Sequence, residues 1–317
     1  MEQQLDFLVD KVVAELQKKL GEATEQAAEQ APSPKAETGL IQLRSEPKAE
    51  PVANATAAPT TAPAVNEQLA PSAEPERTTH VPNPKYKEGL DELLSSTPAR
   101  IGVWRTGVRP LTKTMLELRR DHAAAVDAVY GEVSQAVLDQ FSLFTVETQY
   151  DNTENYLKRP DMGRVLTEEG VRLLQERGQK KPQVQIVVSD GLSAAAVDAN
   201  LKDVLPSLMD SLKSYGLTCG TPFFIKGGRV ASMDHVGEIL EPEVLVLLIG
   251  ERPGLVTAHS MSAYMCYRPR KGMVESERTV ISNIHRQGTS PVEAGAHIGT
   301  ILSKMLEQKA SGVKLVL

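Results

Sequence analysis

Three short polar stretches carry the residues best suited to bind a ligand. They are Ser189-Asp190-Gly191, Gly250-Glu251-Arg252-Pro253-Gly254 and Ser282-Asn283. Carboxylate, hydroxyl and amide side chains in polar turns can exchange hydrogen bonds with a polar ligand, so the chemistry they indicate is ligand recognition. The same residue types are favoured in ordinary turns for backbone reasons. A single stretch fits either interpretation, but the three together favour a binding site.

No catalytic spacing accompanies these stretches. The sequence contains no G-x-G-x-x-G dinucleotide loop after a strand, no phosphate-binding P-loop and no G-x-S-x-G nucleophile elbow. The six histidines and the two cysteines, Cys219 and Cys266, nowhere show the spacing of metal ligands. Asp121 and His122 are neighbours within a predicted helix, which is more typical of a surface pair than of a catalytic one. We therefore expect a binding cleft with no catalytic residue of its own.

Each polar stretch follows an apolar run that predicts a β-strand. The runs are Val184–Val188, Val244–Ile249 and Thr279–Ile281. Short apolar runs rich in β-branched residues are typical of strands buried on both faces of a parallel sheet. Ser193 opens a helical pattern directly after the first run, as expected for half of a βαβ unit. Because ligands bind outside the carboxyl ends of such strands, the three stretches should line one edge of one sheet.

The predicted fold class is α/β, with a Rossmann-like, mainly parallel sheet and flanking helices in residues 181–317. Residues 84–180 predict a small helical subdomain in front of the sheet, with a loop over Asn155–Gly163. The last helix is predicted to start at a capping box, Ser290-Pro291-Val292-Glu293, with proline at the first helical position.

Residues 1–20 predict an amphipathic helix, and residues 21–83 predict a disordered linker. The apolar stripe consists of Leu5, Leu8, Val9, Val12, Leu16 and Leu20. The linker is rich in Pro, Ala and Glu, and no aromatic residue occurs between Phe7 and Tyr86. A helix this short is marginal alone and needs a surface that covers its stripe. That surface could be the chain's own core, but the long linker favours a separate partner.

Composition narrows the classes of partner. The 317 residues carry a formal net charge of −6, which disfavours nucleic acid as the main partner. Two cysteines do not indicate a disulfide framework, so a reducing compartment is expected. No apolar run approaches the roughly 20 residues that span a bilayer, and no signal-peptide pattern is present, so neither membrane insertion nor secretion is expected.

Several longer motifs resemble one enzyme family. The chain is similar, roughly from Ala99 to Gly312, to the small (light) subunit of ethanolamine ammonia-lyase, an adenosylcobalamin-dependent enzyme. The matching segments are Thr106–Thr112, Tyr156–Arg164, Val187–Ser193, Gly220–Phe224, Gly228–Val230, Gly250–Leu255, Ile281–His285 and Met305–Gly312. These motifs are long and belong to no generic fold.

The resemblance implies a function and a division of labour. In this family ethanolamine is converted to acetaldehyde and ammonia by radical chemistry that belongs to the cofactor. A TIM-barrel large subunit holds the substrate and the catalytic residues, and cobalamin lies between the barrel mouth and the small subunit. The family's cofactor-contacting positions match Val230, Glu251 and Val280. Glu251 would accept from amide or ribose donors, and Val280 excludes the sulfur contact that a cysteine could make there.

Two further expectations come from the resemblance. Some cobalamin proteins place a histidine on the cobalt from an Asp-x-His-x-x-Gly loop, but here Asp234 and His235 are adjacent, so cobalamin should keep its own dimethylbenzimidazole as lower ligand. In this and other encapsulated enzymes, a short helix on a Pro/Ala-rich linker directs packing into bacterial microcompartments. Residues 1–20 fit that pattern, which predicts shell proteins as partners and an ethanolamine-utilisation microcompartment within the cytoplasm as the location.

One alternative function stays open. The chain could be a non-catalytic, Rossmann-like nucleotide-binding or scaffold subunit of another barrel enzyme. Titration with adenosylcobalamin, with and without a large subunit, would distinguish the two.

Overall fold

The computed structural model describes residues 79–97, 99–150 and 152–317. The predicted helix over residues 1–20 and most of the predicted linker over 21–83 lie outside the described residues. At the end of that linker, the Thr79 hydroxyl and the His80 N–H both donate to the Gly102 carbonyl oxygen, at 3.1 and 2.8 Å. Thr79 and His80 therefore belong to the folded body, although they precede the boundary predicted at residue 84.

The described chain contains both α-helices and β-strands, which alternate strictly between residues 168 and 250. The helices are α1 (Lys87–Ser96), α2 (Thr112–Tyr130), α3 (Gln135–Gln140), α4 (Thr153–Lys158), α5 (Glu168–Arg177), α6 (Ala194–Ser214), α7 (Ser232–Leu240) and α8 (Pro291–Gln308). The strands are β1 (Arg105–Thr106), β2 (Arg109–Pro110), β3 (Phe144–Glu147), β4 (Val184–Ser189), β5 (Phe223–Lys226), β6 (Val244–Gly250), β7 (Met261–Tyr267) and β8 (Thr279–Ile284). None of these helices is both long enough and apolar enough to cross a bilayer.

One six-stranded sheet organises the fold, in the order β3-β5-β4-β6-β7-β8. The pairs β3–β5, β5–β4 and β4–β6 are parallel, whereas β6–β7 and β7–β8 are antiparallel. Because β7 reverses the direction and β8 reverses it again, β8 runs parallel to β6. The carboxyl ends of β4, β6 and β8 therefore meet at one edge, which confirms the predicted α/β, mainly parallel sheet and the common edge.

Helices cover both faces of the central strands. Helices α6 and α8 pack with one another and with one face of the sheet. Helices α5 and α7 pack on the opposite face. Every residue of β4 and β6 is buried as a result. This double cover explains why their sequences are continuous apolar runs rather than alternating ones.

The region over residues 84–180 differs from the prediction in two places. Strand β3 lies within it and pairs with β5 as an edge strand, so the sheet begins before the predicted boundary at residue 181. The predicted loop over Asn155–Gly163 contains part of α4, because the Asn152 side chain caps that helix by accepting from the Asn155 N–H at 2.9 Å. In contrast, the predicted Thr167 cap of α5 is present, with its hydroxyl accepting from the Gly170 N–H at 3.0 Å.

The last helix starts where it was predicted to start, but by another contact. Helix α8 begins at Pro291, and the Ser290 carbonyl accepts from the Ala294 N–H at 2.8 Å. The Ser290 side chain makes no capping hydrogen bond, so the predicted capping box does not form. Proline at the first helical position is sufficient to set the start of the helix because its φ is already helical.

Candidate ligand-binding site

The turn after β4 is held by its own protein contacts. The Asp190 carboxylate accepts from the Gly227 N–H at 2.9 and 3.1 Å, and the Ser189 hydroxyl oxygen accepts from the Gly228 N–H at 3.2 Å. The buried Tyr156 hydroxyl lies 2.8 Å from two carbonyl oxygens, those of Gly191 and Gly228. These contacts join the turns after β4 and β5 and leave few groups for a ligand.

The crevice between β4 and β6 is also closed. Gly191 has a left-handed φ of 55° and lies directly against the backbone carbonyl of Gly250, where an added Cβ would clash. The Leu192 N–H donates to the same carbonyl oxygen at 3.1 Å. Of the three predicted stretches, Ser189-Asp190-Gly191 is therefore explained by turn formation rather than by ligand binding.

Asp190 nevertheless has an unusual environment. Burial raises the pKa of its carboxyl to about 6, while the hydrogen bonds from Gly227 and Ser189 and the nearby Lys226 oppose that shift. An unfolded aspartate has a pKa near 3.9, so the folded state holds the proton more tightly. The stability that the protonated form provides is fully present below about pH 4 and is lost as the pH rises through about 6.

Replacing this carboxyl with an amide should flatten that dependence. We expect Asp190→Asn to lose less stability between pH 4 and pH 7 than the wild type, because the amide oxygen can still accept from Gly227 and no charge forms. Urea unfolding at several pH values measures the difference, with the exposed Asp210→Asn as the matched control. Parallel curves for Asp190→Asn and the wild type would contradict a buried, titrating carboxyl.

The second and third predicted stretches meet through Glu251. Its Oε1 atom accepts from the Asn283 N–H at 2.9 Å and from the Ser262 hydroxyl. The register of β7 and β8 shifts at this point, and Asn283 adopts a left-handed φ of 60°. The carboxylate therefore stabilises the irregular part of the edge strand β8 around Asn283. Its other oxygen, Oε2, has no hydrogen-bond partner among the residues that the structure describes.

An open strip of sheet face lies beside Glu251. Leu247, Tyr264 and Val280 lie opposite one another on β6, β7 and β8 and share a face of the sheet. Leu247 is fully buried beneath the helical layer, Tyr264 is half-buried, and Val280 is 47% exposed. The helical cover thus ends between β6 and β8 and leaves an apolar surface uncovered.

Val230 lies in the connection between β5 and α7. It is half-buried and packs against the same apolar cluster as Tyr264. The preceding Arg229 fixes this connection, because its guanidinium lies 4.0 Å from the centre of the Tyr156 ring and donates to the Tyr156 carbonyl at 3.0 Å. The structure thus pairs Val280 with Tyr264 and packs Val230 against the same apolar cluster as Tyr264. Glu251 is joined to β7 and β8 through Ser262 and Asn283.

A buried ion pair anchors the start of β8. Arg278, whose side chain is 1% exposed, donates to both oxygens of Asp234 at 2.8 and 2.9 Å. Its Nη1 lies 2.7 Å from the Glu275 carboxylate. Asp234 belongs to the first turn of α7, so the pair ties β8 to that helix and fixes the strand that carries Val280.

The adjacent His235 has a structural partner. Its Nδ1 accepts from the Leu166 N–H at 3.0 Å, and burial lowers the pKa of the ring. No group of three or more His, Cys, Asp or Glu side chains in the described ranges could hold a metal ion.

Comparison with known proteins adds the decisive observation. Residues 87–316 match the family model described as ethanolamine ammonia-lyase light chain. The chain belongs to this family. It is 49% identical over 235 residues to ethanolamine ammonia-lyase small subunits of Listeria monocytogenes and Clostridium perfringens, covering 74% of this chain and 80% of each relative. The small subunit of Clostridioides difficile is 48% identical over the same length.

Membership in the light-chain family confirms the resemblance found in the sequence and the prediction that the chain is a lyase subunit. The contact roles of Val230, Glu251 and Val280 stay predictions. The sequence reasoning missed Tyr264 and Arg278, because strand β7 was not predicted and Arg278 precedes the predicted third strand by one residue. Pairing Met261–Tyr267 with the third strand would have revealed that Tyr264 lies opposite Val280.

Proposed function

We propose that this chain is the small subunit that completes an adenosylcobalamin site against a TIM-barrel large subunit, in an enzyme that converts ethanolamine to acetaldehyde and ammonia. The observation that carries the proposal is the open strip of sheet face beside Glu251, whose Oε2 has no partner in the described chain. A large, amphipathic ligand requires such a surface, with apolar contact area next to a free hydrogen-bond acceptor.

The residues present fit the cofactor. Val230 and Val280 offer apolar contact, and the free oxygen of Glu251 can accept from an amide or a ribose hydroxyl. When bound, adenosylcobalamin supplies the radical chemistry of the reaction. The chain's own residues bind and orient the cofactor. Asn283 and Ser262 hold Glu251 in position through its Oε1 atom, which leaves Oε2 for the ligand. His235 is engaged by Leu166, which fits the proposal that cobalamin keeps its own lower ligand.

A second surface supports a subunit partner. Helix α2 buries only Thr114 and Ala128, although it is 19 residues long. An apolar groove of about 540 Å³ lies between this helix and Leu255. Met115 and Leu255, which line the groove, are 44% and 43% exposed. Contiguous exposed apolar surface is typical of protein interfaces, and we propose that the large subunit covers it.

The proposed location of the chain within the cell rests on the N-terminal sequence alone. We propose that residues 1–20, which lie outside the described residues, bind shell proteins of an ethanolamine-utilisation microcompartment. The predicted apolar stripe and the long Pro/Ala/Glu-rich linker support this assignment.

Reconstitution tests the proposed function. This chain with adenosylcobalamin but without the large subunit should produce no acetaldehyde from ethanolamine, and the assembled subunits should bind the cofactor and turn the substrate over. Turnover by this chain alone would contradict the division of labour. Assembly with a barrel subunit that shows no cobalamin-dependent spectral change would instead favour the scaffold alternative.

Glu251→Gln tests the contact at the site. The amide oxygen can keep the bonds from Asn283 and Ser262, while the free acceptor becomes a donor. Losing a hydrogen bond to a charged group costs about 1.5–3 kcal/mol, or roughly tenfold to over a hundredfold in cofactor Kd. Spectral titration of the assembled enzyme measures the Kd. Unchanged affinity would mean that Glu251 only fastens the strand.

Alanine at the same position is the matched comparison. Because Glu251→Ala also removes the acceptor for the Asn283 N–H, we expect it to lower both the cofactor affinity and the thermal stability of the chain. Glu251→Gln should lower only the affinity.

A further inference from the structure

Tyr264 lies at the centre of the residues proposed to contact the cofactor. Val280 is its direct partner on β8, and Val230 packs against the same apolar cluster. The Glu251 carboxylate lies near enough that its charge acts on the Tyr264 phenol. A residue in this position faces whatever covers the open strip.

The hydroxyl of Tyr264 has an unused hydrogen-bonding capacity within the described chain. No described residue forms a hydrogen bond with it, although the ring is half-buried against the core. The buried Tyr156 shows the usual arrangement, since its hydroxyl donates towards backbone carbonyls. Tyrosine side chains with an apolar ring and a polar tip usually find a partner when that tip is covered.

The phenol is available as a donor. Burial raises the pKa of Tyr264, and the negative charges of Glu251 and Glu275 raise it further, while Arg278 opposes them. The hydroxyl therefore stays protonated at neutral pH. Next to the free acceptor on Glu251, the strip offers one acceptor and one donor beside an apolar surface.

We propose that Tyr264 is a further cofactor-contacting residue, whose ring supports an apolar part of the ligand and whose hydroxyl donates to a carbonyl or phosphate oxygen of the cofactor. This inference rests on the proposed function. On this proposal the strip recognises a ligand that has an apolar surface, an acceptor oxygen that meets the Tyr264 hydroxyl and a donor that meets Glu251.

Tyr264→Phe tests the hydroxyl alone. In the enzyme assembled with its large subunit, we expect the Kd for adenosylcobalamin, measured by spectral titration, to rise about two- to tenfold, the loss typical of one neutral hydrogen bond. The matched control is Tyr267→Phe, since Tyr267 is half-buried on the same strand but packs against the opposite face of the sheet. The control should bind the cofactor as the wild type does.

The outcomes separate the inference from the proposed function. A wild-type assembly that does not bind adenosylcobalamin overturns both. Wild-type binding with equal affinities for Tyr264→Phe and Tyr267→Phe overturns only the role of Tyr264. Thermal unfolding of the chain without cofactor gives a second readout: a lowered midpoint in Tyr264→Phe with unchanged affinity would mean that the hydroxyl serves the fold, which also overturns the inference.

A truncated ligand distinguishes the two kinds of acceptor. Adenosylcobinamide keeps the corrin amides but lacks the phosphate and the nucleotide base. If the loss of affinity in Tyr264→Phe disappears with this ligand, the acceptor is the phosphate. If the loss persists, the acceptor is an amide carbonyl. Either result supports the inference, and equal binding of both ligands by wild type and variant overturns it.

Discussion

Replacing Arg278 by methionine should destabilise the chain by about 3–5 kcal/mol, the usual cost of breaking a buried ion pair. The guanidinium is almost fully buried and holds both oxygens of Asp234. Methionine has a similar length but leaves that carboxylate without its partner. Because the pair ties β8 to α7, we also expect weaker cofactor binding by the assembled enzyme. Denaturant unfolding of the chain measures the first effect, and spectral titration measures the second.

Two further variants make this prediction specific. Arg270→Met replaces an exposed arginine near the same strand and should change the stability by no more than about 0.5 kcal/mol. The double variant Arg278→Met with Asp234→Leu removes both charges and should recover part of the loss. A single variant as stable as Arg270→Met would show that the ion pair contributes little.

Deleting residues 1–80 should abolish encapsulation and leave catalysis nearly unchanged. The predicted stripe of residues 1–20 needs a partner surface, and a linker of this composition has too little apolar surface to transmit packing to the sheet. Leu8→Glu with Val12→Glu should act like the deletion, because it places charge in the middle of the stripe. The deletion also removes the Thr79 and His80 contacts with Gly102, so a deletion that ends at residue 78 is the matched control.

Fluorescence in cells that form shells measures the effect. Residues 1–20 fused to a fluorescent protein should give punctate fluorescence, and the double glutamate variant should give diffuse fluorescence. Diffuse fluorescence from the unmodified fusion would rule out targeting and would favour a helix that packs on its own enzyme.

The central sheet was predictable because burial on both faces leaves a clear pattern. Strands β4 and β6 read as continuous Val, Ile and Leu runs, since helices cover both of their faces. Strand β7 was not predicted, because Met261–Tyr267 contains no β-branched residue and includes Met, Ala and Ser. Strand β3 has only four residues and is stabilised by pairing with β5, a contact between residues distant in sequence.

The candidate site was predictable only in part, for a similar reason. Turn residues at three strand ends predicted a common edge, and the shared direction of β4, β6 and β8 confirms it. Contacts between residues distant in sequence decide which of these turns keeps a hydrogen-bonding group free for a ligand. Asp190 is held by Gly227, whereas Glu251 keeps one oxygen free because Asn283 and Ser262 use only the other. No local pattern distinguishes these two carboxylates.

The antiparallel connections from β6 to β7 and from β7 to β8 affect how the open strip beside Glu251 can change in size. A parallel crossover from β6 to its neighbour would need a helix, and that helix would lie across a face of the sheet. The chain instead reaches β7 and β8 through loops over residues 251–260 and 268–278. Loops tolerate insertions and deletions far better than packed helices. Changes in the length of the exposed parts of these loops, away from Glu251 and from the Arg278–Asp234 ion pair, should therefore enlarge or narrow the opening for a ligand without disturbing the core. Diversification of the surface and preservation of the fold are separable there.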